Sequence, residues 1–171
     1  IPTFGGLDVT LNVYDQAQIS EVAAAADQLS AAGIDHLNLQ IGDANGNGYQ
    51  DELSKLLATD GLGNLKGLDA SIDFGGNTQA SVSISEGQAL TLIADGLHFA
   101  HNDQITLEFD ANAHGTHLGT SLKDLSKLGV DAVAISGGNT LSVDLGGAGS
   151  LDNIPTFGGL DVTLNVYDQA Q

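Results

Sequence analysis

The sequence contains no cysteine and no arginine, and lysine occurs only four times. Without cysteine, disulfide bonds, thiolate catalysis and cysteine-ligated zinc are excluded. The scarcity of basic side chains argues against nucleic acid as a partner, because that binding depends on lysine and arginine. No apolar run approaches the roughly 20 residues of a membrane-spanning helix, so no membrane insertion is expected.

Acidic and apolar residues are abundant instead. The 171 residues carry 22 acids and a formal charge of -18, and 42% of the residues are hydrophobic, which is enough to bury a core. Carboxylates at this density repel one another unless cations or solvent screen them. Calcium (Ca²⁺) is therefore the cofactor that the composition favours.

The same eighteen residues, IPTFGGLDVTLNVYDQAQ, occupy positions 1–18 and 154–171. This identity predicts that residues 1–153 are one full period of a tandem repeat and that residues 154–171 begin the next. If LDVTLNVY is a strand, one of its two copies is an exposed edge, and exposed edges pair with other chains. Neighbouring copies of the protein are the expected partners, through head-to-tail or strand-mediated contacts.

The spacing of apolar residues predicts alternating strands and helices. Alternation in LDVTLNVY and in IDHLNLQI is typical of half-buried strands. The segment DQAQISEVAAAADQLSAAG between them has helical spacing, with a helix end at Gly33. Its predicted buried stripe is Ile19, Val22, Ala26 and Leu29.

The sequence also predicts a shorter period nested within the long one. Two further helix ends are predicted at Gly96 and Gly129, and strand ends recur at 73–74, 108–109 and 144–145. The spacing of these ends is about 35 residues, and periods of that size usually mark stacked supersecondary units. We therefore expect an α/β fold in which helix-strand-strand units of about 35 residues stack in a solenoid-like or layered arrangement.

The segment DANGNGYQDE resembles an Asp/Asn calcium loop. The candidate ligands, at loop positions 1, 3, 5, 7 and 9, are Asp43, Asn45, Asn47, the carbonyl of Tyr49, and Asp51. Ser54 stands where an EF-hand has its bidentate glutamate, so the segment is closer to the short loops of extracellular calcium modules, and Glu52 or Asp60 are candidates for the missing ligand. The alternative is an Asn-Gly turn with solvated acids.

Two histidine pairs, HFAH and HGTH, have a spacing that zinc could use. They are interpreted as surface residues, because an acidic, turn-rich chain carries histidines without a metal and no HExxH pattern occurs. The five histidines are His36, His98, His101, His114 and His117. Neither a GxxxxGK[ST] nor a GxSxG motif occurs, and the acids have no recognisable catalytic pairing, so the chain is interpreted as not an enzyme.

Two stretches, SEGQALTLIADGLHFAHNDQITLEF and LKDLSKLGVDAVAIS, resemble the repeats of giant secreted surface proteins of Gram-negative bacteria, the repetitive adhesin and biofilm-matrix class. The resemblance extends over residues 83–145 and, more loosely, 9–40. It implies an extracellular, cell-surface scaffold or adhesive role and carries over no functional residues.

Together these features favour a structural extracellular module that assembles into a fibre, sheath or surface layer and is stabilised by calcium. The alternative function is a calcium-dependent carbohydrate-binding adhesin module, whose partner would be an extracellular polysaccharide. The absence of tryptophan and the presence of only three tyrosines count against that alternative, because sugar sites commonly use aromatic rings.

Overall fold

The computed structural model describes residues 7–42, 48–75, 79–147, 151 and 153–166. Within them the fold is mixed α/β, as expected, with parallel sheets. The ten strands are β1 (Thr10–Val13), β2 (His36–Ile41), β3 (Ala70–Phe74), β4 (Ser81–Ser85), β5 (Leu97–Phe99), β6 (Gln104–Asp110), β7 (His117–Leu118), β8 (Ala132–Ser136), β9 (Thr140–Asp144) and β10 (Asp161–Asn165).

In the described part of the chain, six α-helices and one 3-10 helix connect these strands. They are α1 (Gln16–Ala24), α2 (Ala26–Ala32), α3 (Tyr49–Leu57), α4 (Glu86–Asp95), α5 (Ala111–His114), α6 (Leu122–Leu128) and the 3-10 helix Leu62–Gly67. None of the helices in the described part of the chain is long and apolar enough to cross a membrane.

The helix ends follow local sequence signals. Ser85 caps α4 in a reciprocal capping box with Gln88, which satisfies backbone N–H groups that the first helical turn leaves unpaired. The predicted ends at Gly33, Gly96 and Gly129 are confirmed, and their φ angles are positive, at 87°, 73° and 84° respectively. Glycine adopts this left-handed conformation without the steric cost that a Cβ brings.

The strands form three parallel sheets. Sheet 1 has the order β1-β2-β3-β5, sheet 2 has the order β4-β6-β8, and sheet 3 has the order β7-β9-β10. Each of the seven described strand pairs is parallel. The strands of each sheet follow the order of the chain, so the polypeptide returns to each sheet one strand further along.

One contiguous hydrophobic core lies inside these sheets and against the helices. Its largest fully buried side chains include Phe74, Phe99 and Phe109, and the first two rings stack with centroids 6.0 Å apart. In the first predicted strand Val9, Leu11 and Val13 face the core, as the alternation predicted, whereas Leu7, the first apolar position of the pattern, precedes β1 and is exposed. The outward positions of the same strand are exposed.

Regular units of equal length are not shown by the described residues. Register partners are unequally separated along the chain, since Thr140 pairs with Asp161 whereas Leu37 pairs with Ala70. The three predicted strand ends belong to three different sheets, because 73–74 closes β3, 108–109 lies in β6, and 144 ends β9. Their spacing therefore does not relate equivalent positions in successive units.

The single helix expected before Gly33 is two helices. The chain leaves helical geometry at Ala25, which has φ -102° and ψ 7° and donates its N–H to the carbonyls of both Glu21 and Val22. Of the predicted stripe, Ile19 and Ala26 are buried, whereas Val22 and Leu29 are partly buried against the core. The break lets both short helices turn apolar residues toward the same core.

Candidate functional site

The predicted calcium loop is divided by the limits of the description. Asp43, Asn45 and Asn47 lie outside the described residues. Tyr49 begins α3 and its ring packs on Phe74 with centroids 5.4 Å apart. This contact anchors the end of the loop to the core.

The remaining candidate ligands follow on α3. Asp51 is exposed in its first turn. Glu52 is engaged elsewhere, because its Oε1 lies 2.6 Å from Nζ of Lys55. The described residues contain no group of three or more His, Asp or Glu side chains placed to hold a metal. Calcium binding at Asp43, Asn45, Asn47, Tyr49 and Asp51 thus stays a prediction.

A carboxylate-histidine row crosses the outer face of sheet 1. Nδ1 of His36 lies 2.7 Å from Asp69 and its Nε2 lies 3.1 Å from Asp8. Nδ1 of His98 lies 3.7 Å from the other oxygen of Asp69. Burial lowers the pKa of His98 below its ordinary value, and the charge of Asp69 opposes that effect.

Of the other histidines, His101 lies near this row, where its charge further lowers the pKa of His98, whereas His114 and His117 lie elsewhere. His101 follows β5 in an exposed turn, His114 ends α5 beside the ring of Phe109, and His117 lies on β7 with Nε2 3.7 Å from Asp144. His98 of the HFAH pair lies on sheet 1 and His117 of the HGTH pair lies on sheet 3, whereas their partners lie outside the strands, and the described residues bring no three metal-ligating side chains together.

A groove of about 660 Å³ lies between β5 and α6. Asp69, His98, His101 and Lys127 contribute to its wall, so it presents charges of both signs. Such a wall can hold water or a small polar molecule. None of its residues forms a nucleophile-base pair in the described structure.

Sequence reasoning missed a buried acid, Asp103, which is 3% exposed. Its carboxylate accepts backbone N–H bonds from Phe74 at 2.8 Å and from Ala80 at 3.1 Å, so it joins the end of β3 to the start of β4. Burial raises the pKa of Asp103 above its usual range, and the nearby Asp73 and Asp131 add to that rise. In the sequence, AHNDQ is indistinguishable from an exposed polar turn.

The duplicated segment forms a strand in both copies, and each copy is an edge strand of its sheet. The first copy supplies β1, which pairs with β2 alone, and the second supplies β10, which pairs with β9 alone. Each strand leaves one backbone edge without a strand partner among the described residues. Unpaired edges of this kind can accept a strand from another chain.

Exposed apolar side chains are concentrated in the same segment. Six large hydrophobic residues of the described chain are exposed, and five of them belong to one copy or the other: Leu7, Tyr14, Ile154, Leu164 and Val166. Leu164 lies on β10, and Tyr14 and Val166 directly follow β1 and β10. Exposed apolar residues beside unpaired strand edges are typical of interaction surfaces. The two terminal edges are therefore the strongest candidate functional site.

No protein-family model matches this chain, and no curated protein and no solved structure matches it either.

Proposed function

We propose that the chain is one period of a structural tandem array on the outside of the cell, of the giant repetitive adhesin or biofilm-matrix type. Residues 1–153 form the period and residues 154–171 begin the next. The observation that carries the proposal is the placement of the duplicated segment, which forms the terminal strand at both ends of the strand succession. A tandem repeat accounts for two edge strands of identical sequence, whereas a single independent domain does not.

The sheet topology supports a solenoid-like stacking within the period. Strands of one sheet appear in chain order and pair in parallel, and the register step from Thr10 to His36 equals the step from Thr106 to Ala132. Coiling a chain so that each turn lies on the previous one produces such an order. Thr156 extends the pattern, since it forms an isolated parallel bridge with Ala132 at the end of sheet 2.

The charge supports an extracellular, calcium-rich setting. The chain has a formal charge of -18, and divalent cations would stabilise it by screening the repulsion between its carboxylates. Because it lacks cysteine, disulfide bonds cannot supply that stability. The calcium proposed at residues 43–51 would stabilise the loop between β2 and α3. The partners of such a module are neighbouring copies of itself.

Electron microscopy of the purified chain, with calcium and with chelator, tests the assembly role. Ordered filaments or layers that form in calcium and dissolve in chelator are expected. Calorimetric titration on the same sample measures calcium binding directly. Monodisperse single particles under both conditions, across a wide concentration range, would contradict the proposal.

A carbohydrate-binding role is a second candidate because of one groove whose lining includes Gly42 and Glu52, which flank the predicted calcium site in the sequence. Tyr14 is 62% exposed and lines this groove of about 190 Å³ together with Gln16, Gln40 and Glu52. An exposed aromatic ring beside amide and carboxylate groups suits stacking and hydrogen bonding to a sugar. Glycan-array binding that requires calcium and is lost in Tyr14→Ala would support this second function, and binding that survives Tyr14→Ala would exclude this groove.

A further inference from the structure

The two copies of the duplicated segment use opposite edges of the same strand. Beside β1 the carbonyl of Val9 accepts the N–H of His36 on β2 at 3.3 Å. In β10 the carbonyl of Asn165, which is the copy of Asn12, accepts the N–H of Leu145 beyond β9 at 2.9 Å. Successive residues of an extended strand direct their backbone groups to alternate sides. Odd-numbered residues of the first copy therefore face β2, whereas the copies of its even-numbered residues face β9.

The two copies also bury complementary apolar side chains. Val13 is 2% exposed, whereas its copy Val166 is 65% exposed. The reverse holds at the other end of the segment, where Leu7 is 64% exposed and its copy Leu160 is partly buried. One strand with both neighbours in place would cover the residues that each copy alone leaves in water.

The outward polar side chains show the same complementarity. Nδ2 of Asn165 donates to Oγ of Ser142 at 2.7 Å and lies 3.2 Å from a carboxylate oxygen of Asp144. Asn12, the equivalent residue of β1, has an exposed side chain and lies in register with Asn38. A strand in the position of β1 thus carries the amide that β9 binds.

From these observations we infer that, in a tandem array, β1 of one copy of this chain is the same strand as β10 of the preceding copy, so that one eighteen-residue segment pairs with β9 on one edge and with β2 on the other. The inference rests on the proposed array function and specifies its partner and register. Thr10 lies opposite Ser142 of the preceding copy, and Asn12 lies opposite Asp144, as their copies do in β10. Sheets 3 and 1 thereby become one parallel sheet of six strands across the joint: β7, β9, the shared strand, β2, β3 and β5.

A two-period chain, residues 1–153 followed by residues 1–171, contains one internal copy of the segment and tests the shared strand. The protein lacks cysteine, so each introduced pair is unique. Thr163→Cys in the internal copy is combined in one chain with Ser142→Cys of the first period, and in another chain with His36→Cys of the second period; these correspond to the register pairs on β9 and β2. Near-complete disulfide formation under mild oxidation is expected in both chains. Formation in only one of them, with the second-period His98→Cys pair as the background level, would overturn the inference.

A proline substitution gives an independent test. The N–H of Leu164 points away from β9 in the single chain, whereas in the two-period chain it faces β2 of the second period. Leu164→Pro should therefore shift the urea midpoint little in the single chain and clearly more in the two-period chain, after subtraction of the Leu164→Ala effect. Equal shifts in the two chains would overturn the shared strand.

These results separate the inference from the function on which it rests. Filaments or layers formed by two-period chains in which one of the two cysteine pairs stays reduced would keep the array proposal and reject the shared strand. Formation of both disulfides in chains that do not assemble further would keep the shared strand and reject a fibre or layer.

Discussion

Asp103 accepts the backbone N–H of Phe74 at 2.8 Å, a contact between distant parts of the chain that fixes the corner between sheets 1 and 2. A second N–H, from Ala80, reaches the other oxygen of the same carboxylate. An ionised carboxylate accepts hydrogen bonds at both oxygens and donates none. The single buried carboxylate of Asp103 therefore satisfies both backbone N–H groups.

Asp103→Asn should lower the free energy of unfolding by about 1–3 kcal/mol at neutral pH, since an amide offers one oxygen to two buried N–H donors. Urea unfolding at pH 7 measures this. Asp110→Asn, at an exposed acidic position that also accepts a backbone N–H, serves as the control and should cost less. An Asp103→Asn protein as stable as the wild type would contradict the corner role.

The same residue predicts a pH dependence. Burial raises the pKa of Asp103 above 3.8. At pH values between 3.8 and this raised pKa, the carboxyl group of Asp103 therefore holds a proton in the folded chain and has lost it in the unfolded chain. The contribution of Asp103 to stability therefore increases as pH falls from the raised pKa toward 3.8. Urea unfolding between pH 7 and pH 4 should show a steeper gain for the wild type than for Asp103→Asn. Parallel curves would contradict this.

His98 should act with the opposite sign. Burial lowers its pKa below 6.5, so below that pH the unfolded chain binds a proton that the folded chain does not. Stability from this group is present above pH 6.5 and is lost as pH falls to the lowered pKa. His98→Gln should flatten this loss, and His114→Gln, which changes an exposed histidine that is not among the groups acting on His98, serves as the control. A profile unaffected by His98→Gln would exclude the effect.

Gly137 and Gly138 form a matched pair at the corner between β8 and β9. Gly137 has φ 81°, and a Cβ there would overlap with the side-chain amide of Asn112. Gly137→Ala should cost about 1–3 kcal/mol of unfolding free energy. Gly138→Ala should be nearly neutral, because its Cβ would lie 3.9 Å from the nearest side chain, that of Ala111. Thermal melting compares the two, and similar melting temperatures would contradict the expectation.

Proline in the two copies of one threonine should have unequal effects in the single chain. Thr163→Pro removes an N–H on the edge of β10 that faces β9, and should cost about 1–3 kcal/mol at that end of the sheet. Thr10→Pro removes an N–H on the free edge of β1 and should stay within about 0.5 kcal/mol. Hydrogen exchange across residues 140–145 and 36–41 reports each end separately. Increased exchange of 36–41 in Thr10→Pro would show that the edges are assigned wrongly.

Removal of the calcium ligands should act only in calcium. Asp43→Ala with Asp51→Ala is expected to lower the melting temperature in millimolar calcium and to leave it unchanged in chelator. Glu21→Ala with Asp27→Ala removes the same charge from exposed helical positions and serves as the control. Equal losses in calcium and in chelator would contradict the site.

Local features of this fold could be predicted from the sequence. The helix ends at Gly33, Gly96 and Gly129 depend on the conformation of one residue, and the strands around Val9 and Leu37 depend on a two-residue alternation. Each signal is complete within a short segment. The α/β class follows from such segments alone.

The division into three sheets could not be predicted in this way. Phe74 and Phe109 each follow an aliphatic residue and an acidic one, so they look equivalent in the sequence. In the fold, Phe74 belongs to sheet 1 and Phe109 to sheet 2. Alternation specifies which face of a strand is buried, but not which strand lies beside it, because pairing is decided by contacts distant in sequence. Asp103 was missed for the same reason, since its burial arises from neighbouring turns that only the folded chain brings together.

The unequal register steps, from the short one between Thr140 and Asp161 to the long one between Leu37 and Ala70, also have a mechanical meaning. Under tension, a strand detached from the end of a sheet releases a loop of about 20–35 residues, which extends to about 70–120 Å at roughly 3.3–3.6 Å per residue. In the folded state the same strand occupies only about 4.8 Å of sheet width. Loops this short close again at small entropic cost, so the chain would lengthen in discrete increments under tension and shorten again when the tension is released.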